Sequence, residues 1–325
     1  MAMPSTATAS YNMSGNVLKE NLRDIVYDIS PMDTVFLNGA GRGSCKSTLH
    51  EWMTDNLVAA AGNAQLEGDD FSASSRTMPS RLKNYCQISR KDIVVTGTAR
   101  SVDAAGMREV LSYHVARAGK EIKRDIEYGL LNNNRGTAGS STAARVSSSV
   151  PNWITVGQHY KASAQTTQTT TGVSSGFCTS DGSTWTASPT AYVEADLRSM
   201  LQLAWSTGGE VDTVLCDSVA FNKFSTFTGV ATRFRDVASK QAAQIIGYAD
   251  VYVSPFGQHK LVLSRYVPAN TAYALQMDMW EVAYLRNFHV EDIAKVGDAE
   301  RKMLLAEWTL VCKNPSANSK AHGIT

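Results

Sequence analysis

The clearest pattern in the chain lies between residues 103 and 131. Ala104, Met107, Leu111, Val115, Ala118, Ile122, Ile126 and Leu130 recur at spacings of 3, 4, 4, 3, 4, 4 and 4. That rhythm puts all of them on one face of an α-helix. Ser101 or Asp103 can cap its start, and Asn132-Asn-Asn-Arg-Gly136 ends it. At ~1.5 Å per residue the helix spans roughly 40 Å. Arg117 with Glu121, and Lys123 with Glu127, stand four apart on the side this stripe leaves exposed. Gly106, Gly119 and Gly129 each cost about 1 kcal/mol against Ala, a cost that close packing against another backbone would offset.

Upstream, residues 46–97 read as extended. Lys46-Ser-Thr-Leu-His-Glu-Trp-Met-Thr54 mixes strand formers with polar residues, and Leu82 to Thr98 is enriched in β-branched and aromatic residues. Between them lies a polar tip, Gln65 to Arg76, along which charge is sorted: Glu67, Asp69 and Asp70 come first, then Arg76, Arg81 and Lys83. A two-stranded excursion of this kind is marginal alone in water. Either it packs on its own domain or it leans on another chain. Each of these charges taken singly reads as a solvated loop residue.

Residues 1–36, with a net charge of −2, begin with Ser, Thr, Asn and Ala, then give a short amphipathic piece from Val17 to Val26. It fits either a disordered terminus or an arm that orders on a neighbouring subunit, and it is not a basic tail for phosphates. Residues 136–188 are dominated by Ser, Thr and Gly, which predicts a surface insertion anchored at Trp153, Ile154, Val156 and Trp185. Phe177 to Gly182 looks like a turn. A mixed region follows: a helix opened by Ser188-Pro189, running to Ser206 and closed by Gly208-Gly209; a strand over Val211–Asp217; a helix over Ser218–Phe227. Strands over Ile245–Ser254 and His259–Arg265 are joined by Pro255-Phe-Gly257, and another covers Ala272–Met279. The segments Ala283–Phe288 and Arg301–Lys313 are split by a turn at Gly297-Asp298. Strands and helices mix without regular βαβ alternation, which makes the class α+β.

Composition narrows the function. The 325 residues are 43% apolar, enough for a substantial core. Formal net charge is +1, without the basic excess of a free-standing nucleic-acid binder. Near-neutrality suits a subunit packed in many copies. The five cysteines, Cys45, Cys86, Cys178, Cys216 and Cys312, have neither C-x-x-C pairing nor metal spacing, and their odd number excludes a complete internal disulfide set. A reducing cytosol fits, with some of them serving as small core residues. The N-terminus lacks a signal-peptide pattern, and no window approaches the ~20 apolar residues of a membrane span.

Catalytic motifs are poorly formed. Gly39-Ala-Gly-Arg-Gly-Ser-Cys-Lys-Ser47 resembles a phosphate-binding loop, but Cys45 stands where Gly must precede the Lys, and Ala40 stands where the first Gly belongs. The plainer reading is a flexible Gly-rich elbow. His50, His114, His159, His259, His289 and His322 are never three or four apart, so helical metal pairing is absent. His114 beside the apolar stripe reads as a partly buried structural histidine. No G-x-S-x-G elbow occurs, and the aromatic residues are not interleaved with basic ones. No catalytic, cofactor or metal residue is assigned.

The order of elements carries more than any single site: arm, long two-stranded loop, long helix, mixed core, last long strand. This order resembles the Hong-Kong-97-type capsid fold. Five stretches make the chain similar to the major head proteins related to that of phage SU-ten. They are Leu22-Arg-Asp-Ile-Val-Tyr-Asp-Ile-Ser-Pro-Met-Asp-Thr-Val-Phe36, His50–Leu57, Arg90–Thr98, Glu121–Asn132 and Gly297–Leu310. The resemblance implies an N-terminal arm over 1–45, an E-loop over 46–100, a P-domain with the spine helix over 101–135, the insertion over 136–188, an A-domain over 189–280 and P-domain return strands over 281–325. It implies a non-enzymatic shell subunit, assembled in the host cytoplasm as pentamers and hexamers around double-stranded DNA. Portal, scaffold or cement proteins would be its partners, and Glu67, Asp69, Asp70, Arg76, Arg81 and Lys83 would meet a neighbouring subunit. The same fold also serves encapsulin-like cellular compartments. A soluble nucleotide-binding enzyme built on Gly39–Ser47 is the reading from a different class.

Overall fold

In the computed structural model of the chain, the residues described are 33–55, 57–58, 60–64, 67–68, 78–102, 109–154, 159–161, 173–174, 176–178, 192–227 and 251–324. The amphipathic piece Val17–Val26, the tip charges Asp69, Asp70 and Arg76, and the helix positions Asp103, Ala104 and Met107 lie outside them. So do Ser188-Pro189 and Trp185.

The elements run α1 (Val35–Gly39), β1 (Gly41–Ser44), β2 (Leu49–Thr54), β3 (Ser80–Tyr85), β4 (Gln87–Thr96), α2 (Gly97–Ser101), α3 (Val110–Leu131), α4 (Val150–Trp153), β5 (His159–Lys161), β6 (Val173–Ser174) and β7 (Phe177–Cys178). They continue with α5 (Glu194–Ser206), β8 (Thr213–Cys216), α6 (Ser218–Ser225), β9 (Val251–Ser254), β10 (Gly257–Leu263), β11 (Thr271–Leu275), β12 (Trp280–Ile293), β13 (Ala299–Cys312) and β14 (Ser319–His322).

The apolar stripe builds α3 as expected: Leu111, Ala118, Ile122, Ile126 and Leu130 are buried. The helix begins at Val110 behind an extended Glu109, and Ser101 belongs to α2 instead of capping α3. Arg117 pairs with Glu121 at 2.9 Å. The expected partnership of Lys123 with Glu127 on the exposed side is overturned, because Glu127 faces the core and is fully buried.

The stripe packs on a four-stranded sheet of order β1-β12-β13-β4. Strands β12 and β13, of 14 residues each, pair antiparallel. They turn through Gly297, whose positive φ of 75° suits a residue without a Cβ. From Leu304 to Cys312, β13 is buried without alternation. Both faces of that half are covered: Leu304, Ala306, Trp308 and Leu310 join the α3 core, and the other face carries Leu305, Glu307 and Val311.

Part of that cover comes from residues 145–154, which corrects the expectation of a surface insertion over 145–152, while Trp153 and Ile154 are buried as the expected anchors. Ser147, Ser148, Ser149, Val150, Asn152 and Trp153 are all buried. Arg145 reaches the buried Glu307 at 2.6 Å, and Arg286 reaches the same carboxylate at 2.9 Å. Ser147 and Ser149 can be buried because their hydroxyls are bonded: Leu310 N donates to Ser147 Oγ at 3.2 Å, and Asn134 N donates to Ser149 Oγ at 3.0 Å. Phe177 and Cys178, expected in a turn, form β7, and the turn is at Gly176.

A second, six-stranded sheet has the order β5-β14-β11-β8-β10-β9 and is mixed in direction. Helices α5 and α6 cover it through Leu197, Met200, Leu201, Ala220 and Phe224. Gly208, at φ 87°, closes α5 where a closing glycine was expected. The β9–β10 hairpin turns at Pro255-Phe256, as its sequence predicted. The strand expected over Ala272–Met279 stops at Leu275, and Met277–Met279 make a 3₁₀ turn.

Candidate assembly arm

Strands β2 and β3 form a two-stranded arm, in register from Leu49 opposite Tyr85 to Thr54 opposite Ser80. Its two ends differ sharply. At the foot, Asn84 is fixed on four sides. Its Nδ2 donates to Leu310 O at 2.8 Å and Ser147 Oγ at 3.1 Å, and its Oδ1 accepts from Ser148 N and Tyr85 N, both at 2.9 Å. Trp52 Nε1 donates to Cys312 O at 2.8 Å, and its ring packs 5.3 Å from that of Trp153. Leu82 is buried in the α3 core. The foot is thereby part of the main body.

Beyond Met53 the support ends. Met53 is 68% exposed, Leu57 98%, Val58 82% and Met78 88%. These large apolar side chains share one projecting segment. An isolated exposed apolar residue is ordinary, whereas a cluster on an unsupported arm marks a surface meant for contact.

The charged residues singled out along the arm divide. Glu67 is exposed in a turn with Gly68. Arg81 lies 3.4 Å from Glu51 across the ladder, an exposed pair worth about 0–1 kcal/mol. Lys83 sits 4.4 Å from the centre of the Phe177 ring, which stacks on Tyr85. Lys83 N also donates to Gly176 O at 2.8 Å. Arg81 and Lys83 thus have partners in their own chain.

The N-terminal side of the arm is anchored by a residue that sequence patterning missed. Glu127 of α3 accepts from Phe36 N at 2.8 Å and Leu37 N at 2.7 Å, closing the first turn of α1. Burial pushes its carboxyl up to about 7 from an ordinary 4.5, while the two backbone donors pull the other way. Directly after α1, the Gly-rich stretch is β1, paired in parallel with β12 from Gly41 opposite Glu281 to Ser44 opposite Tyr284. Neither a flexible elbow nor a phosphate cradle is formed: Cys45 N is spent on Tyr284 O at 3.0 Å. The glycines of β1 serve close packing, since a Cβ at Gly43 would overlap the Glu281 carboxylate.

Among the described residues no group of His, Cys, Asp and Glu could hold a metal ion, and no helix is long and apolar enough to cross a membrane. The buried His259 is held between Val211 O at 2.8 Å and Ser254 Oγ at 2.7 Å, and burial lowers its pKa. It is a core histidine, with no opening to a substrate.

Residues 4–325 match the family described as SU10 major capsid protein. The chain belongs to the SU10 major capsid protein family. It is 27% identical over 347 residues to the major capsid protein of Escherichia phage Phieco32, covering 98% of this chain and 97% of that one. Three solved structures share its fold at low identity. Cyanophage A-1(L) capsid matches with a TM-score of 0.68 at 11% identity, over 96% of this chain and 98% of that one. The capsid of a native GTA particle matches at 0.63 and 12%, over 98% and 100%. Mycobacterium phage Bobi matches at 0.60 and 11%, over 94% and 95%. The fold is the Hong-Kong-97-type capsid fold, and the chain is a major capsid protein of a tailed phage, a component of its shell.

Proposed function

We propose that copies of this subunit assemble as pentamers and hexamers into a closed icosahedral head around double-stranded DNA, each arm tip lying over the next subunit. One observation carries the reading: Leu57, Val58 and Met78 are almost bare on an arm whose foot is rigidly held. Burying such side chains against a neighbour yields roughly 1.5–3 kcal/mol each, repeated at every subunit of a closed shell. Glu67, Asp69, Asp70 and Arg76 would add charge partners across that boundary. Arg81 and Lys83, engaged at home, would hold the arm straight. Under this reading residues 1–45 are the N-terminal arm, 46–100 the E-loop, 101–135 the P-domain spine, 189–280 the A-domain and 281–325 the return strands of the P-domain. The near-neutral chain encloses DNA without reading its sequence, inside a virion assembled in the host cytoplasm with portal, scaffold or cement partners.

Deletion of residues 62–78 tests the arm. The expected outcome is a folded, soluble subunit that forms no shells by negative-stain microscopy when co-expressed with its phage partners. Normal shells from the deletion would overturn the E-loop assignment. Purified wild-type shells carrying protein cargo and no DNA would overturn the head reading in favour of a cellular compartment.

A further inference from the structure

Cys45 and Cys86 stand at the two feet of the arm. Cys45 follows β1 directly and Cys86 lies between β3 and β4. The ladder begins at Leu49 opposite Tyr85, and Cys86 N donates to Thr48 O at 2.8 Å, so the chain enters and leaves the arm side by side. Cys45 is held from its other side by Tyr284 O. The two Sγ atoms are consequently 3.5 Å apart. Both are free thiols, buried together with Ala283 and Val311 under Trp52 and Leu285. Cys216 and Cys312 belong to the two other clusters. Cys86 Sγ also donates to Ser47 O at 3.3 Å, which fixes its sulfur beside that of Cys45.

We propose that Cys45 and Cys86 are an oxidation site, at which the subunit forms an intrachain disulfide that closes residues 45–86 into a covalent ring. Bonded sulfurs lie about 2.05 Å apart, so the pair must approach by about 1.5 Å, with backbones already aligned. A hydroperoxide is the oxidant. One sulfur attacks a peroxide oxygen; the O–O bond breaks, an alcohol or water leaves, and a sulfenic acid remains. The second sulfur attacks the first, an S–S bond replaces S–O, and water leaves with the remaining protons. Two thiols lose two electrons and the hydroperoxide gains two. Burial lifts both thiols above their ordinary pKa of 9, so little thiolate is present and reaction follows opening of the foot. The site stays reduced in a reducing cell and closes in particles exposed to an oxidising medium. The ring forms within one subunit, so this inference holds whichever shell the subunit builds.

The test uses assembled particles treated with hydrogen peroxide, then denatured, alkylated and digested for peptide mass mapping. The expected result is one disulfide joining the Cys45 and Cys86 peptides with the loss of two hydrogen masses. A dithiothreitol-reversible shift of about a hundredfold in the unfolding equilibrium of the dissociated subunit should accompany it. Complete alkylation of both residues after oxidation, or their linkage to Cys178, Cys216 or Cys312, would overturn the site. Cys86→Ala should abolish both link and shift; an oxidant-dependent shift that survives in it would also overturn the proposal. The mapping on the unaltered chain needs no variant.

Discussion

The foot of the arm is the β2–β3 ladder and its tip is the chain beyond the end of that ladder, yet the two obey different rules. At the foot, Trp52, Asn84 and Leu82 spend their surface on β13, on Ser147–Ser148 and on the α3 core. At the tip, Leu57, Val58 and Met78 are almost fully exposed. A hairpin this long gains too little from its own ladder to justify bare apolar side chains. Under the proposed function this difference separates folding from assembly along one arm: substitutions at the foot would act on the subunit, and substitutions at the tip would act on the shell.

The largest effect should come from the clamp behind the foot. Glu127 has a carboxyl raised to about 7, whereas an unfolded one titrates near 4.5. Between those values the folded chain holds a proton that the unfolded chain releases. This contribution is complete below pH 4.5 and is lost as pH rises through 7, a span of about 3 kcal/mol. Urea denaturation of the wild type and Glu127→Gln, compared from pH 4.5 to 7.5, should show the difference in stability shrinking by that order. A constant difference would mean that the carboxyl titrates normally.

Asn84→Ala comes next. It leaves Leu310 O and Ser148 N buried without a partner, and should cost about 2–3 kcal/mol by denaturant midpoint. Trp52→Phe removes the bond to Cys312 O and trims the ring that packs on Trp153, and should cost about 1–2 kcal/mol. Leu57→Ser with Val58→Ser should change subunit stability by less than about 0.5 kcal/mol and yet cut shell yield at least tenfold on a sucrose gradient. Equal losses of stability at foot and tip would dissolve the distinction.

Much of this was legible beforehand, and the limits have physical causes. The α3 stripe was readable because each buried position is set by helix period alone. The two strands of the arm were readable because they are local and flank a polar stretch from Gln65 to Arg76. Glu127 was misread because its spacing from Lys123 is also that of a surface pair; only the arrival of α1, 90 residues away in sequence, makes it a buried acceptor. Residues 147–152 were misread for a related reason, while Trp153 and Ile154 are buried as the expected anchors. Serine counts as a surface residue until its hydroxyl is bonded, and the partner of Ser147 at Leu310 is 163 residues distant. Cys45 and Cys86 gave no spacing signal, because β1 and the start of β4 bring them together.

The order in which the N-terminal segment is fastened has a mechanical consequence. Tension applied ahead of Asp33 reaches the Glu127 carboxylate and its two hydrogen bonds before it reaches the β1–β12 ladder. The carboxylate is thus a fuse in series with a cable. It can let go and re-form while the ladder, pulled along its length with its bonds sharing the strain, keeps the body of the subunit intact.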